Sequence, residues 1–202
     1  MFALHTVLLP GMPLTLRVFE PRYLALLDEV APDGPFVVAA IRHGREVGGP
    51  AEVFRVGVTV RIRSGEPDDD GSQRLQVEAI DRVMLVERTS ADPYPRWRVE
   101  PYPDEGGAGT DDLETAVRAL RRYLWAIGEG EARPVFPRSP VAASWAIAAA
   151  VPGLPPVRQG LLELPGAGER LRRSGRCLEL EARLVRTLGA NVGGADPAVS
   201  PN

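Results

Sequence analysis

Leu14-Thr15-Leu16-Arg17-Val18-Phe19-Glu20-Pro21-Arg22-Tyr23 changes its period halfway along. Leu14, Leu16 and Val18 alternate with Thr15 and Arg17, as in a strand with two unlike faces. At Glu20-Pro21 the alternation stops. A proline suits the first helical turn, and a glutamate favours the positive end of the helix dipole. Tyr23, Leu24, Leu27 and Val30 then follow at helical spacing. A strand that runs straight into one helix, within a strand-rich first half, sets the expected class as α+β. Upstream, Val7-Leu8-Leu9 is an apolar run closed by the turn pair Pro10-Gly11. Downstream, Pro32-Asp33-Gly34-Pro35 ends the helix.

Further strands follow. Residues 36–41 are continuously apolar, which predicts a strand buried on both faces. Residues 44–50 read as a loop. Over 53–63 the period is two, with Val56, Val58, Val60 and Ile62 on one face and Thr59, Arg61 and Arg63 on the other. Residues 64–72 are acidic and turn-rich, and 75–79 resume the alternation. The pair predicts an antiparallel hairpin with a long mobile tip, and Arg61 and Arg63 facing Gln76 and Glu78. Residues 83–86 and 97–99 add two strands. The sum is a small, partly closed β barrel with an early helix.

After a Gly-rich linker at 104–109 the pattern is helical to the end. Thr110 or Asp111 is expected to cap a helix that stops at Gly128. Ser139-Pro140 opens an Ala-rich helix ending before Pro152-Gly153. A short helix over 157–164 and a last one over 168–188 complete a bundle. Leu171, Leu178, Ala182 and Val185 of the last helix form one stripe, with Cys177, Leu180, Leu184 and Leu188 beside it. So wide an apolar face calls for other helices or a second chain, which leaves a homodimer open. The expected division is a barrel over 1–103, a helical bundle over 111–188 and a disordered tail over 189–202.

Composition narrows the chemistry. The 202 residues carry a formal charge of −3, so bulk attraction to phosphate backbones or anionic lipid is absent. All 24 basic residues are arginine. Without lysine there is no Schiff base, no Ser-Lys dyad and no P-loop lysine. The single cysteine, Cys177, excludes an internal disulfide and suits a reducing compartment. Residues 141–151 form the longest apolar run, far short of the roughly 20 residues that span a bilayer. No signal peptide is recognisable at the N-terminus, so a cytoplasmic location without membrane association is expected.

Several blocks, in order, resemble the N-terminal substrate-binding domain of the Lon protease family. They are Leu9-Pro10-Gly11-Met12-Pro13-Leu14, Arg17 to Tyr23 with its Phe-Glu-Pro-Arg-Tyr core, Gly44-Arg45-Glu46-Val47-Gly48 and Phe54-Arg55-Val56-Gly57. Later come Arg158-Gln159-Gly160-Leu161-Leu162-Glu163 and Glu169-Arg170-Leu171 with Leu178 and Glu181. The resemblance spans roughly residues 4–188, with departures at Ala79 and Val58, where the family tends to glycine and threonine. It implies a PUA-like barrel followed by a helical bundle, in a module that stands alone. It implies binding of unfolded polypeptide or of a protein partner, in bacterial protein quality control, without ATPase or peptidase, cofactor or metal.

The residue inventory agrees with a non-catalytic reading. Two histidines, His5 and His43, and one cysteine are too few for a zinc site or a Cys-His nucleophile. Glu66, Asp68, Asp69 and Asp70 lack EF-hand spacing and read as a solvated tip. Glu20, Pro21, Arg22 and Tyr23 read as a structural motif, a helix start tied to the barrel by arginine. Arg42, Arg45, Arg61 and Arg63 offer the alternative of a PUA-like RNA-binding strip. Acids are as numerous nearby, and no aromatic interleaves to stack bases. Met12, Pro13, Phe54, Tyr94, Trp97 and Tyr102 are the candidate polypeptide-binding residues, and a groove between barrel and bundle is their expected setting.

Overall fold

The computed structural model describes residues 1–30, 34–47 and 51–192. The end of the first helix at Pro32-Asp33, the loop's last three residues and the tail beyond residue 192 lie outside the described residues.

Seven strands form one mixed sheet: β1 (Phe2–Leu4), β2 (Pro13–Val18), β3 (Phe36–Gly44), β4 (Ala51–Val53), β5 (Val56–Pro67), β6 (Gln73–Ser90) and β7 (Arg96–Pro101). The main path runs β1-β3-β5-β6-β2, with β4 beside β3 and β7 beside β6. Among the described residues only β1 and β3 pair in parallel; the other pairings are antiparallel. The sheet does not close, because the end strands β1 and β2 do not pair with each other. The early helix α1 (Pro21–Val30) begins at the expected proline, and the Glu20 carbonyl accepts from the amides of Tyr23 and Leu24.

Two strand boundaries differ from the sequence reading. The expected strand over 53–63 divides at Phe54-Arg55, where the Phe54 amide turns to donate to the Ala40 carbonyl. Beyond the turn Gly57 lies so close to β3 that a Cβ there would sit 2.6 Å from the Val38 carbonyl oxygen. The expected strands over 75–79 and 83–86 are one strand, β6, of 18 residues. The intervening Ile80-Asp81-Arg82 stays extended across a bulge opposite Val58 and Val60 of β5, where Ala79 and Val58 lie. Bulges bend a strand without ending it.

The hairpin tip is not a loose loop. Arg17 of β2 reaches Asp70 at 2.6 Å, and Arg74 reaches Asp68 at 3.1 Å. Ser72 donates its hydroxyl to Asp70 at 2.6 Å. These contacts hold Asp70 below the usual carboxylate range, first through the Ser72 hydroxyl and amide. Along the hairpin Arg63 pairs with Glu78 at 2.5 Å, whereas Gln76 accepts from the Thr15 hydroxyl of β2.

Among the described residues four helices follow: α2 (Thr110–Ala126), α3 (Pro140–Ala149), α4 (Pro155–Leu162) and α5 (Ala167–Val192). The N-cap of α2 is Gly109, one residue earlier than expected, and no side chain caps it. Asp112 is engaged elsewhere, with Arg172 at 2.8 Å. At the other end Gly128 takes φ +85 and its amide bonds back to the Trp125 carbonyl, a left-handed stop. Ser139 caps α3 as expected, accepting from the Ala142 amide. Helix α5 continues to Val192, past the expected end at 188. The pairs Asp112–Arg172 and Arg122–Glu179 show that α2 and α5 run side by side in the same direction. They enclose Leu171, Leu178 and Ala182, while Leu180, Leu184 and Leu188 remain 45–62% exposed.

One apolar cluster joins strands and helices. It unites Leu9, Val18, Tyr23, Val58 and Leu75 of the strand-rich half with Leu120, Trp145, Leu161 and Leu178 of the helical half. Its continuity fixes the seam where the candidate site lies.

Candidate functional site

A groove of about 870 Å³ lies between the sheet and α3. One wall comes from the Pro10-Gly11-Met12-Pro13 turn and the Ile80–Val83 stretch of β6, the other from Val141, Ala142, Trp145, Ala146 and Ala149 of α3. Residues Pro101 to Asp104 form one end. The groove exists because β6 changes partner there. Along one edge β6 pairs with β2 up to Pro13↔Glu78, and with β7 from Val83↔Pro101 onward. Ala79 still bonds the Gly11-Met12 turn, whereas Ile80, Asp81 and Arg82 lie in the notch, and α3 covers only part of it. The α3 wall is smooth: its groove-side residues are mostly alanine, with one tryptophan.

Beneath the groove sits a cluster of buried ions. The Arg82 side chain is 1% exposed. It donates to the carbonyls of Leu162 and Leu164 at 2.8 Å each, to the Pro103 carbonyl at 3.0 Å and to Asp104 Oδ1 at 3.1 Å. Leu162 ends α4, where backbone carbonyls lack helical partners and favour a cation. Arg170 of α5, fully buried, also donates to Asp104 Oδ1, by both terminal nitrogens, and gives Nε–H to the Ser144 hydroxyl at 3.1 Å. Its guanidinium stacks 3.3 Å from the centre of the Trp145 ring. The Trp145 indole N–H donates to Asp104 Oδ2 at 3.1 Å. One carboxylate thus holds two arginines and the indole of α3. Burial lowers the Arg82 pKa and pushes that of Arg170 down to about 10; Asp104 opposes both shifts, and Arg82 adds to the lowering of Arg170. Gln159 of α4 adds a further tie, donating to the Val56 carbonyl of β5 at 3.0 Å.

The candidate binding residues separate into two groups. Met12, Pro13 and Tyr102 line the groove together. Tyr102 lies over Arg82, 4.6 Å from ring centre to guanidinium, and its hydroxyl donates to the Glu163 carbonyl. The other three lie elsewhere. Tyr94 is 5% exposed and donates its hydroxyl to Glu29 of α1, so it is a core residue with a polar tie. Trp97 of β7 packs with Val53, Val83 and Leu85 in a second apolar cluster, under the Arg55 guanidinium. Phe54 packs half-buried against the main core. The groove residues missing from the sequence reading are chiefly Ile80, Val83, Ala142, Ala146 and Trp145. Alanines of an Ala-rich helix carry no individual signal, and the burial of Arg82 depends on carbonyl partners about 80 residues later.

The motif around Glu20 is geometrically compact. Arg22 pairs with Glu20 at 3.0 Å, donates to the Glu46 carbonyl at 3.2 Å and lies 4.6 Å from the Tyr23 ring centre. Tyr23 is buried and stacked on Phe2 of β1 at 4.0 Å. Burial raises the Tyr23 pKa. The motif fastens α1 to β1 and to the loop after β3.

Residues 1–179 match the family model of the ATP-dependent protease La (LON) substrate-binding domain. The chain is similar to Lon protease 1 of Bdellovibrio bacteriovorus, at 22% identity over 120 residues, and to Lon protease of Chloroherpeton thalassium, at 27% over 145 residues. These alignments take in 58% and 71% of the chain but only 15% and 16% of those proteases. Among solved structures, a Lon N-terminal domain protein from Xanthomonas campestris matches with a TM-score of 0.60 at 25% identity, covering 85% of this chain and 93% of the other. The N-terminal domain of a Mycobacterium avium complex Lon protease matches in fold with a TM-score of 0.61 at 19% identity, covering 88% and 95%.

Proposed function

Because the chain belongs to the family of Lon substrate-binding domains, we propose that it binds segments of unfolded polypeptide in the groove between sheet and α3. It acts as a recognition module, without chemistry of its own, in cytoplasmic protein quality control. The single observation that carries this reading is the groove itself. It encloses about 870 Å³, is lined largely by small apolar side chains and prolines, and its position is held by a buried ionic cluster. A smooth apolar wall grips many sequences weakly, as a receptor for unfolded chains must. Arg42 pairs with Glu52 and Arg63 with Glu78, which supports a polypeptide ligand over nucleic acid. Among the described residues no helix is long and apolar enough to cross a membrane.

Fluorescence anisotropy with labelled, reduced casein tests the reading. Ala146 is exposed on the groove wall, so Ala146→Arg fills the groove without touching the core. The expected result is at least a roughly tenfold weaker affinity, equivalent to about 1.4 kcal/mol, with an unchanged melting temperature. An absence of binding by the unmodified chain at tens of micromolar overturns the reading.

A further inference from the structure

The open sheet has a second feature that a binder of extended chain would use. Its end strands β1 and β2 each keep one unpaired edge, and both line a slot of about 530 Å³ with Phe19, Tyr23 and Val47. The two edges differ. On β1 Phe2 is stacked on the Tyr23 ring at 4.0 Å, and just past the strand the His5 amide donates to the Glu46 carboxylate at 2.7 Å. Side chains of the chain itself thus occupy that edge.

The edge of β2 is unoccupied among the described residues. The Ala79 amide donates to the Met12 carbonyl at 2.9 Å, which fixes the phase of the ladder between β2 and β6. Bonded and non-bonded pairs alternate in an antiparallel ladder, so Leu14, Leu16 and Val18 bond β6. The backbone N–H and C=O of Thr15 and Arg17 therefore face the slot, and none of the described hydrogen bonds reaches them. Pro13, which has no N–H, ends the row. Buried Phe2, Leu16 and Val18 line the inner side of the slot, and Phe19, 53% exposed, stands at its end.

We propose that this slot takes an extended polypeptide segment as an added strand on the free edge of β2, with apolar side chains at alternate positions turned to the inner wall. Backbone pairing supplies affinity almost independently of sequence, and the apolar wall selects only the alternation. The free edge from Thr15 to Val18 is about 10 Å long. That is far too short to bury the roughly 1,200 Å² of a stable interface between two copies, but it suits one short segment. The inference rests on the polypeptide reading and adds a separate point of capture, since β2 starts at the groove and its edge continues into the slot.

The test uses the full chain and a fluorescein-labelled peptide of alternating valine and threonine, with its backbone N-methylated counterpart as control. The expected result has three parts. The Thr15 and Arg17 amides exchange hydrogen at least about tenfold more slowly with peptide bound, the N-methylated peptide binds at least about tenfold more weakly, and Thr15→Pro weakens the unmodified peptide by a similar factor. The exchange measurement is made on the unsubstituted chain, so the test holds even where Thr15→Pro misfolds. If the peptide binds with Thr15 and Arg17 exchange unchanged, the added strand is overturned and the groove reading stands. If peptide and casein both fail to bind, both fall. If protection of these amides appears without peptide and tracks a dimer in sedimentation, a second copy fills the slot and the proposal is wrong.

Discussion

At the scale of single residues, the chain concentrates its buried charge on one carboxylate. Asp104 holds Arg82, Arg170 and the Trp145 indole, with its side chain 17% exposed. Removing one partner of a buried pair costs roughly 3–5 kcal/mol, because the charge left behind has no counterion. Asp104→Asn is therefore expected to lose about that much, seen as a lower urea midpoint at unchanged slope. Glu29 behaves differently, since it is exposed. Arg96 and Tyr94 donate to it and hold its pKa below the ordinary carboxylate value. A carboxylate with a depressed folded pKa contributes fully above its unfolded value, about 4.3, and loses that contribution as pH falls through the folded value. Glu29→Gln should flatten the acid limb of the stability profile, measured by denaturant titration at stepped pH. An acid limb as steep as that of the unsubstituted chain would mean that the contacts of Glu29 hold nothing.

At the scale of elements, Gly57 shows how tightly β3 and β5 are joined. Any Cβ meets the Val38 carbonyl, so Gly57→Ala is expected to cost about 1–3 kcal/mol through displaced backbone. Thermal unfolding with the substitution checks this, against Ser139→Ala, where loss of the α3 cap costs roughly 0.5–1 kcal/mol because its bond is long. Most elements were legible in the sequence because their signals are local: the change of period at Pro21, the alternation of Val56 to Ile62, the Ser139-Pro140 cap and the Gly128 stop. What was not legible depends on partners distant in the chain. Ile80-Asp81-Arg82 looks like a polar break in β6, yet Arg82 is buried because carbonyls about 80 residues later receive it. Tyr94 looked like a surface aromatic, but α1 covers it. Likewise only three of the six proposed binding residues share the groove, since exposure follows from packing that periodicity does not encode.

At the scale of the molecule, the groove and the slot follow from the sheet's failure to close. A closed barrel has no free edge and no notch. Here one strand, β6, serves β5 along one side and β2 and then β7 along the other. The helices seal the remaining side through Arg82, Gln159 and the shared core. Substituting Ala146 perturbs one opening and Thr15 the other, so the two predictions separate cleanly in one binding assay.

The dependence of so many neighbours on β6 carries a consequence for biosynthesis. Strand β2 pairs with residues 73–78, some 60 positions later, so a nascent chain released only as far as the hairpin tip has nothing to lay it against. Until the ribosome has extruded β6, the apolar faces of β2, β3 and β5 stay open to solvent together, and such non-local pairing is slow to form. Stalled nascent chains that have not yet extruded β6 are expected to be digested readily by protease, and those that have extruded both β6 and the helices sharing its core to gain resistance.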